Sequence, residues 1–85
     1  MANYNVLIKP SAVKELERIP KKQLQKIAEK IQALALDPRP SGCEKVAERN
    51  TYRIRQSSYR IVYTIEDDHL VMLVIKIGHR RDIYR

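Results

Sequence analysis

Apolar residues follow a period of two near both ends of this chain and a period near 3.6 between them. In the segment Tyr4-Asn5-Val6-Leu7-Ile8, Tyr4, Val6 and Ile8 alternate, which predicts a strand. Lys9-Pro10-Ser11 ends it, and Ser11 suits the N-cap of a helix starting at Ala12. Val13 (or Ala12), Leu16 and Ile19 give an apolar stripe over about two turns. Pro20 pushes the residue before it out of the helical region and is suited to opening the next helix. That second helix carries the clearest period, with Leu24, Ile27, Ala28, Ile31, Leu34 and Ala35 on one side. Asp37-Pro38-Arg39-Pro40-Ser41-Gly42 stops it. So short a link makes the two helices an antiparallel hairpin.

Residues 37–50 read as a long polar connection, and beyond it the period changes to that of strands. Tyr52, Ile54 and Gln56 alternate with Arg53 and Arg55. Ser57-Ser58 is a turn, and Tyr59 to Ile65 is rich in β-branched and aromatic residues. Glu66-Asp67-Asp68 is a second turn. Leu70 to Ile77 is nearly continuous in apolar residues, which predicts a central strand covered on both faces and ended by Gly78. The expected order is β-α-α-β-β-β, one α+β domain over residues 1–85. Its helical hairpin packs on one face of a small antiparallel sheet, and the other face is left as a basic groove.

Charge changes what that free face means. Lys and Arg total 17 against 10 acids, for a formal +7, so a polyanion or an acidic partner fits better than a small neutral metabolite. Cys43 is the one cysteine, which fits a reducing cytoplasm. His69 and His79 have no cysteine cluster beside them, so no metal site is expected, and with two glycines there is no phosphate loop. No apolar run is long enough for a membrane span, and the N-terminus lacks the pattern of a secretory signal, so no membrane partner is expected.

Residues 52–60 hold Arg53, Arg55 and Arg60 and no acid. Across a tight hairpin Arg60 falls beside Arg55. Three guanidiniums so close repel unless an anion sits between them, and phosphate oxygens match the arginine fork. His79 and Tyr84 are groups able to move protons. A basic face with such groups suits RNA cleavage without a cofactor. The ribose 2′-hydroxyl attacks its own phosphate, and the protein positions it, moves two protons and neutralises the phosphorane. DNA, without the hydroxyl, resists. Taken singly, each arginine also fits a solvated sheet face, His79 a surface position and Tyr84 a terminal packing role.

Tyr52-Arg53-Ile54-Arg55, Tyr59-Arg60-Ile61-Val62-Tyr63, and Ile77-Gly78-His79-Arg80 with Tyr84 together resemble the RelE branch of the RelE/ParE toxin superfamily. The likeness covers nearly the whole chain. It implies the toxin of a type II toxin–antitoxin pair, held by a cognate antitoxin, that enters the ribosomal A site and cuts mRNA there without a metal. It further implies Arg53, Arg55, Arg60, His79, Arg80 and Tyr84 as candidate catalytic residues. Lys45, Arg81 and Arg85 are candidate RNA-binding residues beside mRNA and ribosomal RNA. The best-known relative has lysines where Arg53 and Arg55 stand. Arginine is a poor general base, so proton transfer falls to His79 or Tyr84. Two other functions share parts of this pattern: a ParE-like gyrase poison without nuclease chemistry, and a non-catalytic basic RNA- or ribosome-binding module.

Overall fold

The computed structural model describes residues 3–47 and 50–79. In chain order these form β1 (Asn5–Ile8), α1 (Pro10–Glu17), α2 (Lys21–Leu36), β2 (Glu44–Ala47), β3 (Thr51–Gln56), β4 (Tyr59–Glu66) and β5 (Val71–His79). The sheet has the order β1-β5-β4-β3-β2. The core lies between one sheet face and the helices. It joins Ile54, Ile61, Tyr63, Ile65, Met72, Val74 and Ile77 to Ala12, Ile27, Ile31 and Leu34.

The expected α+β architecture is present, with four differences in detail. First, α1 begins at Pro10, and Lys9 takes the N-cap place given above to Ser11. Proline fits a first helical position because its missing N–H has no partner there anyway. The Lys9 carbonyl accepts from the amides of Ala12 and Val13 at 2.8 and 3.0 Å.

Second, the polar connection contains a strand. Glu44, Lys45 and Val46 of β2 are exposed, so burial impresses no alternation on the sequence there. Gly42, at φ 97°, makes the approach to this strand, in a backbone region that costs glycine little.

Third, the sheet is mixed, because β1 pairs with β5 in parallel. Tight hairpins force β3, β4 and β5 to alternate in direction. The helical crossover after β1 imposes no such reversal.

Fourth, β5 is an interior strand with one fully buried face. Its buried residues are Met72, Val74 and Ile77. The register against β4 slips between Val62, which faces Lys76, and Tyr63, which faces Val74. Ile75 is therefore the extra residue of a bulge, and the alternation changes phase around it. Without that slip Lys76 would point into the core. With it Ile77 enters the core, and the exposed Lys76 reaches Glu15 of α1 at 3.6 Å. The same carboxylate accepts from the Ile77 amide at 2.9 Å, beyond the last β1–β5 pair.

A polar cluster pins the connection after α2. Tyr63, fully buried, donates from its hydroxyl to the Pro38 carbonyl at 2.7 Å. Arg39 donates to both Asp67 oxygens, at 3.1 and 2.9 Å, and from Nε to the Tyr52 hydroxyl at 3.0 Å. Tyr4 donates to Asp67 Oδ1 at 2.7 Å. Arg39 first, then Tyr4, holds the Asp67 carboxyl below the usual carboxylate range. Burial pushes the Tyr63 phenol above its ordinary value.

Candidate functional site

Arg53 and Arg55 flank Ile54 on β3. Ile54 is buried in the core, so both arginines project from the face turned away from it. Arg60 on β4 is the register partner of Arg55 across the Ser57-Ser58 turn, where Ser57 has φ 57°. The three arginines thus share one face of two neighbouring strands. Their surroundings differ. Arg55 is exposed, the Arg53 side chain is 23% accessible and that of Arg60 only 6%.

An acid from the unexpected strand β2 joins them. Glu44 is the cross-strand partner of Arg53, and Arg53 Nε donates to Glu44 Oε1 at 3.1 Å. Arg60 Nη1 lies 3.8 Å from the same oxygen. The carboxylate is the more open partner in both pairs, at 60% accessible. The local sequence offers no sign of this contact, because nothing in a short exposed strand reveals its register.

Lys45 faces Tyr52 across the β2–β3 pair and is exposed. By alternation it lies on the opposite face from Glu44. His79 ends β5 opposite Tyr59, while its neighbour Gly78 is opposite Arg60. The His79 ring leans edge-on against Tyr59, with centroids 5.8 Å apart. The bulge at Ile75 sets this phase: it brings His79 to the arginine end of the sheet but on the Tyr59 side. There it lines a cavity of about 250 Å³ together with Arg18 and Ile19. Arg80, Arg81, Tyr84 and Arg85 lie outside the described residues.

A second concavity, of about 540 Å³, was not foreseen. Lys9, Lys14 and Arg18 line it from the α1 side, Val62 and Lys76 from the sheet, and Glu15 is the one acid among its lining residues. In sequence Lys14 and Arg18 read only as the polar side of a helix, and Lys9 as the end of a strand. Their meeting with Lys76 depends on the bulge. Among the described residues, no group of three or more His, Cys, Asp or Glu side chains is placed to hold a metal ion. Nor is any helix among them long and apolar enough to cross a membrane.

The arrangement offers clustered positive charge on one sheet face, with His79 at the same end of the sheet but on the other face, and such a cluster is suited to holding and neutralising phosphate. Comparison with known proteins identifies the family. The family model described as the ParE toxin of type II toxin–antitoxin systems matches residues 6–84. Toxin RelG of Mycobacterium tuberculosis is 30% identical over 84 residues, covering 96% of this chain and 97% of that protein. The archaeal RelE–RelB complex from Pyrococcus horikoshii contains a chain with TM-score 0.80 and 26% identity, over 94% of this chain and 97% of that one. The RelBE2 toxin–antitoxin complex of M. tuberculosis has the same fold, with TM-score 0.82 at 24% identity over 94% of each chain. With its family model spanning nearly the whole length and its relatives matching end to end, the chain belongs to the RelE/ParE family of type II toxin–antitoxin toxins.

Proposed function

We propose that this toxin is an endoribonuclease that cuts mRNA in the ribosomal A site and so arrests translation and growth. The observation that carries the reading is the meeting of Arg53, Arg55 and Arg60 on one sheet face in a member of this family. In this scheme the face is a basic groove for the mRNA backbone. The 2′-hydroxyl attacks the adjacent phosphorus, a 2′,3′-cyclic phosphate forms, and the 5′-oxygen leaves with a proton. Arg53, Arg60 and Arg80 stabilise the charge on the phosphorane, with Arg55 holding the neighbouring backbone. His79 or Tyr84 moves the protons. Lys45, Arg81 and Arg85 contact RNA around the site. No cofactor is needed for this chemistry. The toxin acts in the cytoplasm, and a cognate antitoxin restrains it. The antitoxin complexes among its structural neighbours support that partner.

A second reading is a ParE-like toxin that poisons DNA gyrase, and the family model carries the ParE name. Inducing the protein and mapping mRNA 5′ ends on translating ribosomes separates the two. Cuts within codons are the expected result. Intact mRNA with gyrase-linked DNA breaks would overturn the proposal in favour of gyrase. Growth arrest with neither lesion would leave a non-catalytic ribosome-binding module.

A further inference from the structure

We propose that Glu44 is an internal stand-in for the substrate phosphate, holding Arg53 and Arg60 in the free toxin and giving way when an RNA phosphate arrives. The inference rests on the RNA-cleaving reading and adds a regulatory contact to that same site.

Three features carry it. The first is placement. Glu44 Oε1 is 3.1 Å from Arg53 Nε and 3.8 Å from Arg60 Nη1, so one anionic oxygen serves two guanidiniums. A phosphodiester has two non-bridging oxygens and can give each guanidinium its own acceptor. Exchanging carboxylate for phosphodiester therefore conserves the charge and the number of acceptor oxygens, and the wider tetrahedral group can spread them over both guanidiniums.

The second feature is access. The Glu44 side chain is 60% accessible, whereas Arg53 and Arg60 are largely enclosed. Rotation about the Glu44 side chain moves the carboxylate into water and leaves both arginines where the sheet holds them. The third is the strand itself. β2 has four residues, occupies the sheet edge, and loses register between Lys45 and Ala47. Such a strand yields locally more readily than the interior strands β4 and β5. In the free protein the carboxylate relieves repulsion between the arginines and supplies a counter-charge to the buried Arg60. The cost is competition: RNA must displace a resident anion.

The test uses the full chain, freed of antitoxin, and a fluorescent 2′-O-methyl RNA that cannot be cleaved, at fixed salt. Glu44→Gln keeps the shape and removes the charge. It is expected to tighten RNA binding about 2- to 5-fold, or about 0.5–1 kcal/mol, the range of a partly exposed ion pair. Glu44→Asp keeps the charge and should stay within about 2-fold of wild type. Binding by Glu44→Gln no tighter than wild type, while Arg53→Ala binds more weakly, would overturn the stand-in and leave the phosphate-binding face intact. Wild-type binding by both Arg53→Ala and Arg55→Ala would instead bring down the RNA reading itself. A second readout needs no variant. Adding the same RNA to wild-type protein should shift the Nε–Hε NMR resonance of Arg53, and an unmoved resonance would equally overturn the exchange.

Discussion

Two arginine sites lie toward opposite ends of β4, and they are built differently. Past its last residue, Arg39 meets the two oxygens of Asp67 and the hydroxyl of Tyr52, and lies over the Tyr52 ring at 5.2 Å. One cation there has a dedicated carboxylate, and Tyr4 donates to that same carboxylate. Near the first residue of β4, Arg53 and Arg60 share one oxygen of Glu44, and Arg55 stands exposed beside them. The first arrangement is a staple, saturated from within the fold, that ties the 37–43 connection to the sheet. The second holds more positive charge than Glu44 balances. Arginine count alone does not distinguish a structural site from a docking site. The face does: Tyr52 and Tyr63 pack with the core, and the other three arginines turn away from it.

The contrast is broken most severely by Arg53→Ala. Cleavage on translating ribosomes should fall about 100-fold, as when one charge-stabilising donor is removed from an active site. Thermal unfolding should stay close to wild type, since the carboxylate left behind, Glu44, is exposed to water. Arg80→Ala and Tyr84→Ala should likewise lower cleavage by orders of magnitude and leave antitoxin binding in place. Wild-type cleavage by a folded Arg60→Ala, Arg80→Ala double mutant would show that the chemistry lies elsewhere on the molecule.

The opposite profile is expected of Tyr63→Phe. It removes one hydroxyl and leaves the buried Pro38 carbonyl without that donor, which costs about 1–2 kcal/mol of stability in a denaturant titration. Cleavage should be unchanged, because Tyr63 faces the core. A loss of cleavage matching that of Arg53→Ala would erase the division between staple and docking site.

Much of this contrast was legible in the sequence. Strong periods placed α2 and the three meander strands, and alternation about Ile54 put Arg53 and Arg55 on one face. The Ser57-Ser58 turn then brought Arg60 opposite Arg55. What stayed hidden depended on non-local register. β2 is exposed and short, so no burial pattern announced it, and with it Glu44 was missed. The bulge at Ile75 left only a weak trace, Lys76 interrupting an apolar run, yet it decides the side on which His79 sits. The antiparallel sense expected for β1 was wrong because a helical crossover is compatible with either direction. The Arg39 staple joins residues from four separate segments, and sequence spacing carries no information about such a meeting.

The smallest effect sharpens the staple through pH. Asp67 has its folded pKa lowered, by Arg39 first and then by Tyr4. A carboxyl of this kind contributes stability above its unfolded pKa of about 3.9. That contribution is lost as pH falls below this value toward the folded pKa, because the unfolded chain then binds the proton more readily. Stability measured by urea titration between neutral pH and pH 3 should therefore decline on the acid side. In Asp67→Asn the acid-side decline should be shallower, because the amide cannot titrate. The variant should also be somewhat less stable than wild type near neutrality, where the charged contact is lost. Equal slopes for the two proteins below about pH 4 would mean that the Arg39–Asp67 pair is too solvated to act as a staple. The 37–43 connection would then be held chiefly by the buried Tyr63 hydroxyl.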